Sequence, residues 1–326
     1  MTRCQFPYWG GMDSLANQND DMRRGWLIWN PRSGGGKRRR KKQVEQAAQV
    51  LAAHGWELEL KSTPGRHDAA ALARQAAELK LEGLWICGGD GTLAQAAGAL
   101  VEYGDHAPAI GILSGGTANV LARQWNVPLD PVGAAKHLAL GRPATLPLGR
   151  ARRQGALGQT ITDYFVALAS AGYDGWVVHA VERSRYKRWG RRGYAWMAML
   201  GLGRYRFAVM RAGWQDAYQQ PGSAAVLDAV FALTDHYAGG FPFGWDRPYG
   251  EPAIWLLHDR GARRRWLSIN PTREIHAPST QWAQWVRAGV LELEGEPAPL
   301  ELDGEPKGFT PVIFDVLPEG WKVLLP

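Results

Sequence analysis

Three glycine-rich turns carry the residues of this chain that could do chemistry: NPRSGGG (residues 30–36), GGDGT (88–92) and SGGTAN (114–119). Glycine is costly in regular structure, so clustered glycines mark unusual backbone geometry or a close approach that a side chain would block. In such turns successive backbone N–H groups can point inward as an anion nest, and a following helix adds the positive end of its dipole. Thr92 and Thr117 add hydroxyl donors. Asp90 stands among these donors, where its charge repels phosphate unless a cation lies between them. An acid inside an anion nest therefore points to polyphosphate with Mg²⁺, and Asp90 is the metal-facing candidate. The competing reading is a tight strand-to-helix turn with Asp90 as an N-cap. One such turn would favour the cap; two, with NPRSGGG beside them, favour the ligand. Because glycines set the shape of the turn, Asp90→Asn is expected to cost activity and leave folding little affected.

Familiar phosphate and nucleophile motifs do not fit. A P-loop needs GxxxxGK[ST], but Pro31 stands at its first glycine and Arg38 at its hydroxyl position. GGDGTL matches GxGxxG in no register, so the dinucleotide fingerprint fails. ILSGG lacks the first glycine of GxSxG, where Ile112 stands, so Ser114 is not a nucleophile. The eight histidines show no metal-ligand spacing.

The elements that must position these turns alternate. GWLIWN, WELELKST, GLWIC and AIGIL read as strands, separated by the helical patterns KKQVEQAAQVLAAHG, HDAAALARQAAELKL and LAQAAGALVEYG. Further helices start near Ala118 and at PVGAAKHLALG. This order predicts a parallel α/β sheet with helices on both faces, and ligands in such sheets bind beyond the carboxyl ends of the strands. All three glycine turns fall on that rim. After Gly141 the texture changes to short apolar or alternating runs, among them DYFVALASAGYDGWVV, AAVLDAVFAL, PAIWLLHD, RRRWLSI, PLELDG and PVIFDVLP. These predict an antiparallel β domain over 142–326, interrupted by a helical insert near 181–202. The nucleotide-type domain is expected over 25–141, and residues 1–24 are expected to be a disordered leader, or to precede a start at Met22.

With 326 residues, 45% of them hydrophobic and 21% charged, the chain can bury a sizeable core. Two cysteines make no disulfide framework, which suits a reducing, cytoplasmic setting. No run approaches a membrane span, and the first residues lack a signal-peptide core. The net charge of +7 suits an anionic partner.

NPRSGGGK, GGDGT, GILSGGTANVLAR, AGYDGWVV and LELDGEPKG occur in the order and spacing of the diacylglycerol kinase catalytic family, and the chain most resembles its bacterial soluble lipid kinases, related to sphingosine and ceramide kinases. The resemblance runs from Gly25 to Pro326 and is weak over 204–275. It implies a phosphofructokinase-like α/β nucleotide domain followed by a β-sandwich domain that takes a lipid substrate. It also implies Mg·ATP as phosphate donor and a lipid hydroxyl as acceptor. Asn30, Thr63, Gly88, Gly89, Asp90, Gly91, Thr92, Gly116, Thr117 and Asn119 would contact nucleotide. Asp303 and Glu305 fall on the acidic motif from which the family draws its catalytic base, though Asp-Gly alone is also a common hairpin turn. We take Glu305 as the base, because the metal claims the charge of Asp90; Asp303 and Asp174 come next. Relatives carry a GGG stretch followed by DG that helps to hold a second, structural metal. Here Tyr249-Gly250 stands instead, so that site is expected to be absent or rebuilt.

Two basic stretches remain. KRRRKK (37–42) opens the first helix, where cations oppose the dipole, which suggests either an anionic partner or a solvated charge run. ERSRYKRWGRRGYAWMAMLGLGRYRF (182–207) mixes basic and aromatic residues as an interfacial helix does, and predicts peripheral membrane association. No nucleic-acid module is recognisable, so nucleic acid is not an expected partner. A homodimer is left open. The rival readings are an NAD kinase-like phosphotransferase, which shares GGDGT, and a non-catalytic nucleotide- or lipid-binding module.

Overall fold

The computed structural model describes residues 22–31, 37–63, 65, 68–216, 218–237, 241–242, 249–258 and 283–326. Its first half alternates: β1 (Arg23–Trp29), α1 (Lys37–Ala52), β2 (Trp56–Ser62), α2 (Asp68–Glu78), β3 (Gly83–Gly88), α3 (Asp90–Leu100), β4 (Ala109–Ser114), α4 (Val120–Gln124) and α5 (Pro131–Leu138). Arg23 and Arg24, expected in the leader, open β1 instead. The second half holds β5 (Arg142–Gln154), β6 (Thr160–Phe165), β7 (Leu168–Ala171), α6 (Tyr173–Glu182), a 3₁₀ turn (Arg185–Trp189) and α7 (Arg191–Arg204). There follow β8 (Met210–Asp216), β9 (Pro221–Val226), β10 (Asp228–Ala232), β11 (His236–Tyr237), β12 (Phe241–Pro242) and β13 (Ala253–Leu257). The chain ends with β14 (Ala283–Val286), β15 (Ala288–Gly295), β16 (Pro299–Leu302), β17 (Glu305–Phe309) and β18 (Val312–Leu325).

Strands β2-β1-β3-β4 pair in parallel and are continued by β18, β15, β8 and β9, with β5 attached to β18 and β6 to β5. Every residue of β3 and β4 is buried, which is why both read as unbroken apolar runs: a parallel sheet covered on both faces hides both sides of its strands. The last strand stitches the two halves together. Its end runs parallel to β4 at Val323 and Ile110. It pairs antiparallel with β5 on both sides of an irregularity between Leu317 and Trp321, and its start pairs with β15. The second sheet is antiparallel, in the order β14-β13-β10-β7-β16-β17. Phe165, Phe231 and Phe314 meet between the sheets, with ring centroids 5.9 to 6.1 Å apart.

One expected run is divided. DYFVALASAGYDGWVV holds strand and helix in succession, because Gly172 turns the chain at φ 114° with no room for a side chain beside the Leu227 carbonyl. Helical structure therefore begins at Tyr173 and extends to Arg204, beyond the expected insert at 181–202. The expected strand RRRWLSI lies outside the described residues.

Candidate active site

The rim is built where β1, β2, β3 and β4 end. Gly88 and Ser114 are register partners on adjacent parallel strands, so their two turns leave the sheet side by side. Gly115 N–H donates to the Gly88 carbonyl at 2.9 Å. A side chain at Gly116 would stand 2.5 Å from Gly89 Cα, so glycine is required there by backbone packed on backbone. Arg40 supports the second turn from beneath. It is buried, and its guanidinium donates to the carbonyls of Ser114 and Gly115 at 3.4 and 3.3 Å. One cation of KRRRKK is thus buried against the turn and not a solvated charge.

Asn119 takes a left-handed conformation, φ 48°, and closes its own loop: Oδ1 accepts from Gly116 N–H at 2.8 Å and Nδ2 donates to the Gly116 carbonyl at 3.1 Å. With that side chain engaged, α4 is capped by Asp90 instead. The Asp90 carboxylate accepts from Val120 N–H at 3.0 Å and Leu121 N–H at 3.2 Å. The aspartate of one turn therefore caps the helix of the other, although it stands at the start of its own helix. Burial pushes its pKa up, against the opposing pull of those N–H groups.

The other expected nucleotide contacts lie on the same rim. Thr63 is buried at the end of β2, donating through both N–H and Oγ1 to the Trp29 carbonyl. Asn30 N–H donates to the Cys87 carbonyl. Thr92 packs against Gly88, and Thr117 is exposed. Ser114 Oγ donates to the Pro128 carbonyl at 3.0 Å.

The second half contributes the acids. Glu305, first residue of β17, lays its carboxylate on the GGDGT turn: a side chain at Gly91 would stand 2.6 Å from Glu305 Oε1. Gln95 Nε2 of α3 donates to that oxygen at 3.4 Å, and Lys307 Nζ lies 3.7 Å from the other. Asp303, only two residues away, is used differently. At φ 49° it accepts from the N–H groups of Val166, Ala167 and Leu168, at 2.7 to 3.0 Å, and so ties β6 to β7. Burial and the nearby charge of Asp90 raise its pKa to about 7.

Behind these lies an acidic layer in which only Asp174 was expected. Glu301 is 2% exposed, accepts from Ser170 Oγ and Gly304 N–H, and is pushed up to about 8 by burial and by the charge of Asp174. Asp174 accepts a hydrogen bond from Tyr237 Oη, and burial raises its pKa. Asp228 is fully buried and raised by the same causes. The signal was present: both Glu301 and Asp228 interrupt apolar runs, where an acid is expensive to bury. In place of the relatives' DG pair, Tyr249 donates to the carbonyls of Val166 and Pro147, bracing the loop that Asp303 clamps.

Among the described residues no three His, Cys, Asp or Glu side chains are grouped to hold a metal by themselves. Mg²⁺ commonly takes only one or two protein carboxylates and completes its shell with water and substrate phosphate oxygens. The charge of Asp90 raises the pKa of Asp303, so these two carboxylates are the ones that a cation arriving with a polyphosphate would relieve.

Comparison with known proteins gives a consistent picture. Residues 24–151 match the family described as the diacylglycerol kinase catalytic domain. The chain is 31% identical over 288 residues to a Chromohalobacter salexigens protein named "Probable lipid kinase YegS-like", covering 86% of each. It is 28% identical over 151 residues to the diacylglycerol kinase of Bacillus subtilis, 46% of each chain. The crystal structure of a diacylglycerol kinase from Bacillus anthracis superposes with a TM-score of 0.69 at 17% identity, over 93% of this chain and 97% of that one, and so shares the fold.

Two expectations follow from the geometry. Asp90→Asn leaves one acceptor oxygen for two N–H donors, so it should lower unfolding free energy by about 1–3 kcal/mol, where the turn alone predicted little effect on folding. Chemical denaturation decides; unchanged stability would contradict the capping role. Glu301, raised from 4.5 to about 8, keeps a proton in the fold that the unfolded chain releases. Stability is therefore full at low pH and falls as pH rises between those values, by up to about 1.4 kcal/mol per pH unit. Glu301→Gln should flatten that slope between pH 5 and 8, and identical slopes in both proteins would refute the assignment.

Proposed function

The chain belongs to the diacylglycerol kinase family of bacterial lipid kinases, and on that premise we propose that it transfers the γ-phosphate of ATP, with Mg²⁺, to a lipid hydroxyl, diacylglycerol or a close relative. The observation that carries the reading is the Glu305 carboxylate resting on Gly91, an acid from β17 brought to the glycine turn at the end of β3. Phosphoryl transfer asks mainly for an acceptor held in line with the phosphate and for developing charge to be offset. The paired turns supply backbone N–H groups and the Thr92 and Thr117 hydroxyls toward phosphate. Asp90 would be the residue to hold magnesium arriving with the nucleotide, and the ion would supply the remaining positive charge.

A lipid alcohol is a poor nucleophile at neutral pH. Glu305 accepts its proton as the oxygen–phosphorus bond forms. Its side chain is 42% exposed, so an acceptor can reach it, whereas the Asp303 carboxylate is engaged by three N–H groups. Gln95 and Lys307 hold the Glu305 carboxylate in place from both sides.

The test is purified protein incubated with labelled ATP, Mg²⁺ and a total lipid extract, which should yield a labelled phospholipid. Glu305→Gln should bind ATP with near-normal affinity and lose roughly 10²- to 10⁴-fold in turnover. Loss of ATP affinity would assign Glu305 to the nucleotide site. Label on a water-soluble acceptor, or no transfer at all, would overturn the lipid-kinase reading.

A further inference from the structure

The charge of Glu305 is the last of four. Lys307 Nζ, 3.7 Å from Glu305 Oε2, also lies 3.3 Å from Asp163 Oδ1 of β6. The other oxygen of Asp163 accepts from Arg153 Nη2 of β5 at 3.3 Å. Charges of alternating sign thus run from β5 to the GGDGT turn: Arg153, Asp163, Lys307, Glu305. The first three side chains are 19% or 20% exposed, against 42% for Glu305. Salt screens such partly buried pairs much less than surface pairs.

The backbone is shaped to make this chain. Leu300 of β16 pairs with Gly308 of β17, and Glu301 with Pro306, so Lys307 is one residue too many and forms a bulge. Bulges re-aim a side chain and recur beside active sites. Gly308 follows at φ 104°, and a side chain there would stand 3.6 Å from Arg153 Nη1. Asp163 is directly across from Ala151 in the β5–β6 pair, which makes Arg153 its diagonal neighbour.

Lys307 alone would fix Glu305 poorly. Its ammonium rides on a flexible four-carbon stem. A triphosphate entering the glycine turns carries more negative charge than one carboxylate and would draw the ammonium away. Asp163 is the second anion that holds it back, and Arg153 offsets the charge of Asp163 in turn. A staple between β6 and β17 would need only Asp163 and Lys307, and would leave the Glu305 contact unexplained.

We propose that Asp163 is a positioning residue for phosphoryl transfer. It holds Lys307 on the bulge of β17, so that the ammonium faces Glu305 rather than the phosphates and keeps that carboxylate over the GGDGT turn. The proposal rests on Glu305 being the base. Asp163→Asn keeps the shape of the side chain and removes its charge. With ATP and dioctanoylglycerol it should lose roughly 10- to 10²-fold in kcat, as a displaced reacting group does. Its KM for ATP and its melting temperature should stay near wild type. Asp163→Glu, which restores the charge, should recover most of the turnover. Lys307→Met should lose a similar factor, and adding Asp163→Asn to it should cost nothing more.

Full turnover in Asp163→Asn while Glu305→Gln is impaired would overturn the positioning role and leave the base in place. So would losses that multiply in the double variant, or a lower melting temperature with no rescue by Asp163→Glu, which would mark a structural tie. A raised KM for ATP with kcat unchanged would make Lys307 a nucleotide contact instead. Full turnover in Glu305→Gln would remove the base, and the positioning role with it.

Discussion

A single contact governs the arrangement: the carboxylate of Glu305 lying where a side chain at position 91 would be. Gly91 belongs to a turn after a parallel strand, and Glu305 to an antiparallel strand more than two hundred residues later in the chain. They meet because β18, which follows β17, runs back into the first sheet beside β4 and pairs with β5. The two halves are therefore joined through backbone hydrogen bonds, and the acid is held at the rim by a sheet rather than by a mobile linker. Gln95 and Lys307 then fix where its charge sits.

The glycine turns show two uses of the same residue type. Backbone freedom is one; contact is the other. Gly89 and Gly116 allow two turns to touch backbone to backbone, and Gly91 makes room for Glu305. Asp90 adds a bond between the turns by capping α4 from across the rim, while Arg40 draws in the carbonyls beneath. The rim is thus tied together before any ligand arrives, which suits a reaction in which positioning contributes most of the barrier reduction.

Much of this was legible in the sequence because it is local. Strands β3 and β4 declare themselves as unbroken apolar runs, the glycine turns punctuate them, and LDGE marks the acids of the second half. What was hidden is non-local. Nothing near Asp90 indicates that its hydrogen-bond donors stand at Val120 and Leu121. Asp303 and Glu305 look equivalent in sequence, yet the left-handed turn at Asp303 sends one carboxylate inward to three N–H groups and leaves the other at the rim. Gly172 converts an apparent strand into strand and helix, because its permitted φ matters more there than the propensity of the flanking residues. The acidic layer of Glu301, Asp174 and Asp228 was visible as acids inside apolar runs, but their convergence needed the second sheet.

The measurement that bears most directly on the central contact is a cycle of lipid phosphorylation rates with Gly91→Ala, Glu305→Gln and the double variant. A methyl group at position 91 stands within 3 Å of the Glu305 carboxylate and displaces a flexible side chain rather than the backbone. Gly91→Ala should therefore keep its melting temperature and ATP affinity, lose turnover, and add no further loss once Glu305 is Gln. Full activity in Gly91→Ala, or losses that multiply in the double variant, would contradict the account.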